Sequence, residues 1–340
     1  MKQRPNPPIE GQSKTEAQTT TARLASALIV SLAAFASTVH AQTFPSKSLR
    51  IIVPFPPGGA ADITSRLLGE HMAKGLGQAV IAENRPGAGA VIGYELAARA
   101  TGDGHTLLVV FPSFIIQPAV KQGLQFDPLK DFKAVGQTIS LSMAFAVNPS
   151  VPVKSIQELV ALARAKPGEI AYGTPGTGTT HHVIAEMFRL AAKINIVHAP
   201  FQGEIPAITA AAGGHIPMVF VNASAVAPFA KSGKMRALAV TTPERAEVLP
   251  DVQTMREAGF PEIESTNWSG LVVPVATPSA TISRLSAELV LALRNAQVQE
   301  KLKTYGMSPA PGTPEQFAAL LQFESARYAK VVREAGIKAD

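Results

Sequence analysis

The sequence predicts an α/β chain in two lobes: two mostly parallel sheets with helices on both faces, joined by two crossing strands. Three observations carry this. Short apolar strands alternate with helical patterns along most of the chain, the signature of strand–helix–strand units. Two long extended segments, "VGQTISLSMAFAVNP" near Val135 and "STNWSGLVVPVA" from Ser265 to Ala276, interrupt that alternation. Two glycine-rich stretches, "PFPPGGAAD" and "YGTPGTGTTHH", each join a strand to a helix start.

The elements follow in order. "LRIIVPF" is the first strand, and "DITSRLLGEHMAKGLG" is a helix with Ile63 and Leu67 on one face and glycine near its end. "QAVIAEN" and "HTLLVV" are strands, with "YELAARA" a helix between them. After the first extended segment, "SIQELVALARAKPG" is a helix. Ser155 and Glu158 are spaced as a capping box, Lys166-Pro167-Gly168 stops it, and Ile156, Leu159, Val160 and Ala163 form its buried stripe. Strand "IAYGT", a helix over 179–192, strand "NIVHAPF", helix "PAITAAAGG", strand "PMVFVN", a helix near 226–231 and strand "MRALAVT" complete a second set. Beyond the second extended segment the chain is helical. Its last helix starts at Thr313, with Pro314 and Gln316 as first-turn residues.

The economical arrangement builds one lobe from both ends of the chain, residues 42–142 and 267–340, and the other from residues 143–266. Two crossings of this kind permit hinge closure over a ligand.

The N-terminus reads as a secretory signal peptide, residues 1–41. Lys2, Arg4, Lys14 and Arg23 precede the apolar run "LASALIVSLAAFASTV", and Val39 and Ala41 set cleavage after Ala41. That run has 16 residues, including three serines, against the roughly 20 of a membrane span. The alternative is an N-terminal anchor. The destination expected is the periplasm, by the general secretory route.

The 340 residues are 46% hydrophobic and 16% charged, a globular composition. There is no cysteine, which excludes thiol nucleophiles, thiolate metal sites and disulfides. The net charge is +6, and removing the leader's four bases and two acids leaves +4. Without a basic cluster or many aromatics, nucleic-acid binding has no support.

In open α/β sheets, ligands bind at the carboxyl ends of strands, where helix N-termini present unpaired N–H groups. The stretch "PFPPGGAAD" offers the amides of Gly58, Gly59, Ala60 and Ala61; Pro56 and Pro57 restrict the turn. The second stretch adds the hydroxyls of Thr174, Thr177, Thr179 and Thr180. Each stretch alone could be a tight turn with no ligand. Two of them, in opposite lobes, converge on one anion. Hydrogen bonds to a charged group contribute about 1.5–3 kcal/mol each. Four or five reach the ~8 kcal/mol of a micromolar complex before ordering costs.

Other motifs are weaker. Gly173 to Gly178 has P-loop spacing, but Thr179 stands where lysine is required. "RPGAGAVIG" is one residue too long for a dinucleotide fingerprint, and no G-x-S-x-G elbow is present. His181 and His182 diverge by about 100° on a helix, which disfavours a shared metal and leaves a capping or ligand-contacting role for one of them. Trp268, the only tryptophan, either lines the cleft or packs in the hinge core. No catalytic residue, metal or cofactor is expected.

At these residues the chain resembles the periplasmic receptors of tripartite tricarboxylate transporters, the Bug receptors. The likeness runs from Pro45 to Ile337 through "IIVPFPPGGAAD", "ENRPGAGAVIG", "DGHTLLV", "DPLKDFKAVGQ", "PGEIAYGTPGTGTTHH", "IVHAPFQG" and "WSGLVVPVATP". It implies a two-lobed periplasmic-binding-protein fold of type II kind, a small carboxylate ligand and no catalysis. It also implies a monomer that delivers its ligand to membrane permease subunits. A receptor feeding a sensor protein and an exported enzyme are the alternatives.

The resemblance also implies the contacts, some of them through ordered water. Phe55 and the backbone of Pro57, Gly58, Gly59, Ala60 and Asp62 hold the carboxylate from one side. Thr174, Pro175, Gly176, Thr177, Gly178, Thr179, Thr180 and His182 hold it from the other. Gln202, Gly203, Glu204 and Asn222 line the far side. The chain departs from the family pattern at Ala90, His105, Phe201, Pro217 and Glu204. If Glu204 faces the cleft, it would repel a second carboxylate and could pair with an ammonium; the alternative is a solvated acid in a helix first turn.

Overall fold

The computed structural model describes residues 1–5 and 44–338. From residue 6 onward the expected signal peptide, with its cleavage point after Ala41, lies outside the described residues. Chain contacts separate Met1–Phe44 from Pro45–Asp340, and the α/β architecture belongs to the second unit.

That unit runs β1 (Leu49–Val53), α1 (Ala60–Leu76), β2 (Val80–Asn84), a 3₁₀ turn (Ala88–Ala90) leading into α2 (Val91–Ala98), β3 (Thr106–Val110), α3 (Ser113–Val120) and β4 (Phe132–Leu141). It continues with β5 (Met143–Val147), α4 (Ile156–Ala165), β6 (Ala171–Thr174), α5 (Thr180–Ala192), β7 (Val197–Pro200), α6 (Glu204–Ala212), β8 (Met218–Asn222), α7 (Ala223–Lys231) and β9 (Arg236–Val240). The return is β10 (Asn267–Pro274), α8 (Ser279–Arg294), α9 (Ala296–Thr304), β11 (Ser308–Pro309) and α10 (Pro314–Ala335). No helix among the described residues is long and apolar enough to cross a membrane.

Among the described residues, six strands form one sheet, in the order β11-β4-β10-β3-β1-β2. Five form the other, β7-β6-β8-β5-β9. The expectation of mostly parallel sheets needs correction, because both sheets are mixed. β1 is parallel to β2 and β3, and β6 is parallel to β7 and β8. β10 is antiparallel to β3 and β4, β11 to β4, and β5 to β8 and β9. β10 in the first sheet and β5 in the second each run against the strands on either side of them.

The crossing segments sit side by side. β4 ends at Leu141 in the first sheet and β5 begins at Met143 in the second, with Asn267 of β10 paired to Leu141. Ser142 between them bonds Thr242 Oγ1 through its hydroxyl at 2.9 Å.

Burial follows the strand period of two. On β5 and β8, Met143, Phe145, Val147, Met218 and Phe220 join one apolar cluster, while Ala144, Ala146, Val219 and Val221 join another. Both faces of this sheet are covered, so these strands read as unbroken apolar runs. Helix caps follow local chemistry. Thr313 and Gln316 make a reciprocal capping box at the start of α10. At α4 the Ser155 side chain accepts from Glu158 N, but the Glu158 carboxylate accepts from Lys154 N instead of Ser155 N.

Helix α10 begins over the first sheet, where Phe317 meets Trp268 edge to face at 5.5 Å. Further along, Arg327 donates to the carbonyls of Glu262 and Glu264, each at 2.9 Å, and Tyr328 Oη lies 3.4 Å from Ser265 Oγ. Its buried side chains share one core with Phe114 of α3 and with Tyr172 and Phe188 of the second strand–helix set. Trp268 is 1% exposed and belongs to this core, which decides between the two roles open for it in the sequence.

Candidate functional site

The first glycine-rich turn leaves β1 at Val53 and enters α1 at Ala60, with Gly59 as an N-cap that has no side chain to offer. Gly58 has φ +84°, a left-handed conformation suited to glycine. Its N–H is not free for a ligand: it donates to Asp62 Oδ2 at 3.0 Å. Asp62 is the turn's internal anchor. Its Oδ1 also accepts from Arg66 Nε at 2.9 Å and Asn84 Nδ2 at 3.0 Å. Chiefly the Arg66 bond, helped by Gly58 and Asn84 and opposed by burial, holds its carboxyl below the usual range. The amides of Gly59, Ala60 and Ala61 have no hydrogen-bond partner among the described residues.

The second turn leaves β6 at Thr174 and enters α5 at Thr180. Thr179 is the N-cap, its hydroxyl accepting from His182 N at 3.3 Å and donating to the Gly176 carbonyl at 2.8 Å. Gly176 N donates to Thr174 Oγ1 at 3.3 Å, and Gly178 N to His182 Nδ1 at 3.2 Å. Those two amides are spent on the turn, leaving those of Thr180 and His181 at the helix start.

His182 thus faces into its own loop. Its ring stacks on His198 at 3.6 Å, and His198 Nε2 lies 2.7 Å from Thr174 Oγ1. Burial depresses the His182 pKa to about 4. Burial, and then the neighbouring His182, depress that of His198 to about 3.

The two turns meet across one cavity of about 410 Å³. It is lined by Phe55, Pro56, Pro57, Gly59, Ala60, Ala61, Phe111, Ser113, Pro175, Thr179, Thr180, His181, Glu204 and Asn267. Phe55 and Phe111 form an edge-to-face wall at 5.5 Å. A polar chain runs along the floor. Thr180 Oγ1 donates to Asn267 Oδ1 at 3.3 Å, and Asn267 Nδ2 to Asn222 Oδ1 at 3.3 Å. His181 Nε2 lies 3.2 Å from Asn222 Oδ1 and 3.4 Å from Glu204 Oε1, which accepts from Asn222 N at 2.6 Å.

Of the residues expected at the site, Phe55, Pro57, Gly59, Ala60, Pro175, Thr179, Thr180 and Glu204 line this cavity together. Gly58, Asp62, Thr174, Gly176, Gly178 and His182 stand behind the lining as the hydrogen bonds that shape the turns. Gly203 N donates to the Pro175 carbonyl at 3.2 Å, lacing the α6 entry to the second turn. Gln202 precedes it, and Thr177 lies within the turn; neither is on the lining. Asn222 acts one step back, through His181, Asn267 and Glu204.

Phe111, Ser113, His181 and Asn267 were not anticipated. Phe111 and Ser113 follow the carboxyl end of β3, so the rule that picked out the other turns could have found them. Which of the adjacent histidines faces the cavity depends on the phase of α5. Among the described residues no three of His, Asp and Glu gather as a metal site.

Two bare helix starts facing each other across a small cleft suit an anion, and comparison with known proteins agrees. Residues 64–337 match the family described as "Tripartite tricarboxylate transporter family receptor". The chain belongs to this family. It is 33% identical to Protein BugT of Bordetella pertussis over 313 residues, 92% of this chain and 96% of that one. A solved periplasmic transporter superposes with a TM-score of 0.76 at 37% identity, covering 87% of this chain and all of that one. MatC from Rhodopseudomonas palustris, with bound malate, superposes at 0.73 with 29% identity, covering 85% and 100%. Rpa4515 of R. palustris, with adipate, gives 0.76 at 29%, covering 87% and 99%. The tripartite tricarboxylate transporter receptor fold, two α/β sheets joined by crossing strands, is therefore the fold of this chain.

Proposed function

We propose that this chain is a periplasmic receptor that captures a small carboxylate between its two glycine-rich turns by hinge closure and delivers it to a tripartite-type permease. The carrying observation is that the unpartnered amides of Gly59, Ala60 and Ala61 and those of Thr180 and His181 border one cavity. Each set sits at a helix N-terminus, where the backbone dipoles favour negative charge. The solved relatives with adipate and with bound malate support the ligand class.

In this reading residues 42–142 and 267–340 form one lobe and 143–266 the other. Strand membership changes sheet between Leu141 and Met143 and again between Val240 and Asn267, which supports that division. Closure would bend the chain at these paired crossings.

The test is a thermal-shift screen of purified protein against mono-, di- and tricarboxylates, amino acids and aromatic acids. A ligand for the folded state raises Tm with concentration by mass action. At least one carboxylate should do so, and Thr180→Pro, which removes one cleft amide, should weaken it. A flat response to the whole panel would sink the proposal.

A further inference from the structure

The same cavity carries a charge pattern that bears on which carboxylates it takes; this inference rests on the receptor reading above. Among the described residues, no lysine or arginine lines the cavity, and Glu204 is its one carboxylate. His181 does not offset that charge. It is buried, and burial pushes its pKa down, with Glu204 pulling the other way. The remaining walls are apolar rings, glycine, alanine and neutral polar groups.

Glu204 is held in place. It opens α6, where a negative charge in the first turn is favourable. Its Oε1 accepts from Asn222 N at 2.6 Å and lies 3.4 Å from His181 Nε2. Its Oε2 has no hydrogen-bond partner among the described residues. The side chain is 25% exposed.

A ligand that rests one carboxylate on the helix-start amides presents the rest of its surface to the apolar walls and to Glu204. A second carboxylate there would meet a fixed negative charge with no cation to compensate. Juxtaposed like charges in a partly desolvated site are strongly disfavoured, whereas an ammonium or other donor satisfies the carboxylate. We propose that Glu204 selects ligands carrying one carboxylate and a hydrogen-bond-donating, preferably cationic, far group, and rejects di- and tricarboxylates.

The experiment is calorimetric titration with two matched series: hexanoate, 6-aminohexanoate and adipate, then valerate, 5-aminovalerate and glutarate. Within a series only the far group changes. The wild-type chain should bind the amino acid about 10- to 100-fold more tightly than the diacid, the scale expected for one charge contact. Glu204→Gln keeps an acceptor for Asn222 N and should erase most of that ratio. Diacids binding as tightly as their amino counterparts, or a ratio unchanged in Glu204→Gln, would overturn the inference and leave the receptor reading standing. Silence across both series and the wider panel would overturn the receptor reading and this inference with it. If Glu204→Gln does not fold, the wild-type ranking decides.

Discussion

Acid should destabilise this protein well above the carboxylate range, through the stacked His182–His198 pair. Both rings are neutral in the fold because burial opposes their charge, His182 with a pKa of about 4 and His198 of about 3, against an ordinary 6.5. A histidine whose folded pKa is depressed binds more protons when unfolded. Its stabilising effect is complete above pH 6.5 and is lost as pH falls from there toward the folded pKa. For His182, linkage gives a loss of about 2 kcal/mol between pH 8 and pH 5. His198 is half-buried, and solvent screening reduces its share to about 1 kcal/mol. Asp62 does not enter this window, because its carboxyl titrates below the usual range. The assay is urea denaturation at pH 8 and pH 5, for the wild type and for His182→Gln/His198→Gln. Glutamine keeps an acceptor for Gly178 N but takes on no charge. The wild type should lose about 3 kcal/mol more than the double variant. His181 contributes equally to both chains and cancels. A difference under about 1 kcal/mol would refute the assignment of the acid sensitivity to this pair. Protonation at Nδ1 also takes the acceptor from Gly178, so ligand binding by the second turn should hold down to about pH 5 and weaken as the pH falls toward about 4.

Two further outcomes are expected. A Cβ at Gly270 would sit 2.1 Å from Phe317 Cζ and 2.9 Å from the Gly136 carbonyl oxygen, so Gly270→Ala should destabilise by about 1–3 kcal/mol. A urea midpoint equal to wild type would show that Phe317 yields freely. Asp62→Ala strips the acceptor from Gly58 N, Arg66 and Asn84 and should lower stability by about 2 kcal/mol. Titration with the carboxylate that gives the largest thermal shift should show affinity about tenfold weaker; unchanged affinity would mean the first turn keeps its shape without Asp62.

Much of the site was legible before any coordinates, for a local reason. The turns after β1 and β6 are recognisable because proline, glycine and threonine set backbone geometry within a few residues. What failed to show were partners far apart in the chain. Gly58 looked like a free donor until Asp62 was seen to take its N–H. His182 looked like the ligand-facing histidine, and the phase of α5 instead turns His181 to the cavity. Asn267, some 87 residues from Thr180, joins it only through the register of the second crossing.

The sequence by itself determined the alternation of strands and helices, the caps at Ser155 and Thr313, and the two bare helix starts, since each depends on neighbouring residues and on apolar period. Only the tertiary structure decided that β5 and β10 run against their neighbours in the sheets, and that Trp268 packs in the core. It alone brought Glu204 to the same cavity as both turns. Those outcomes follow from strand pairing and packing between distant segments, which no local preference encodes.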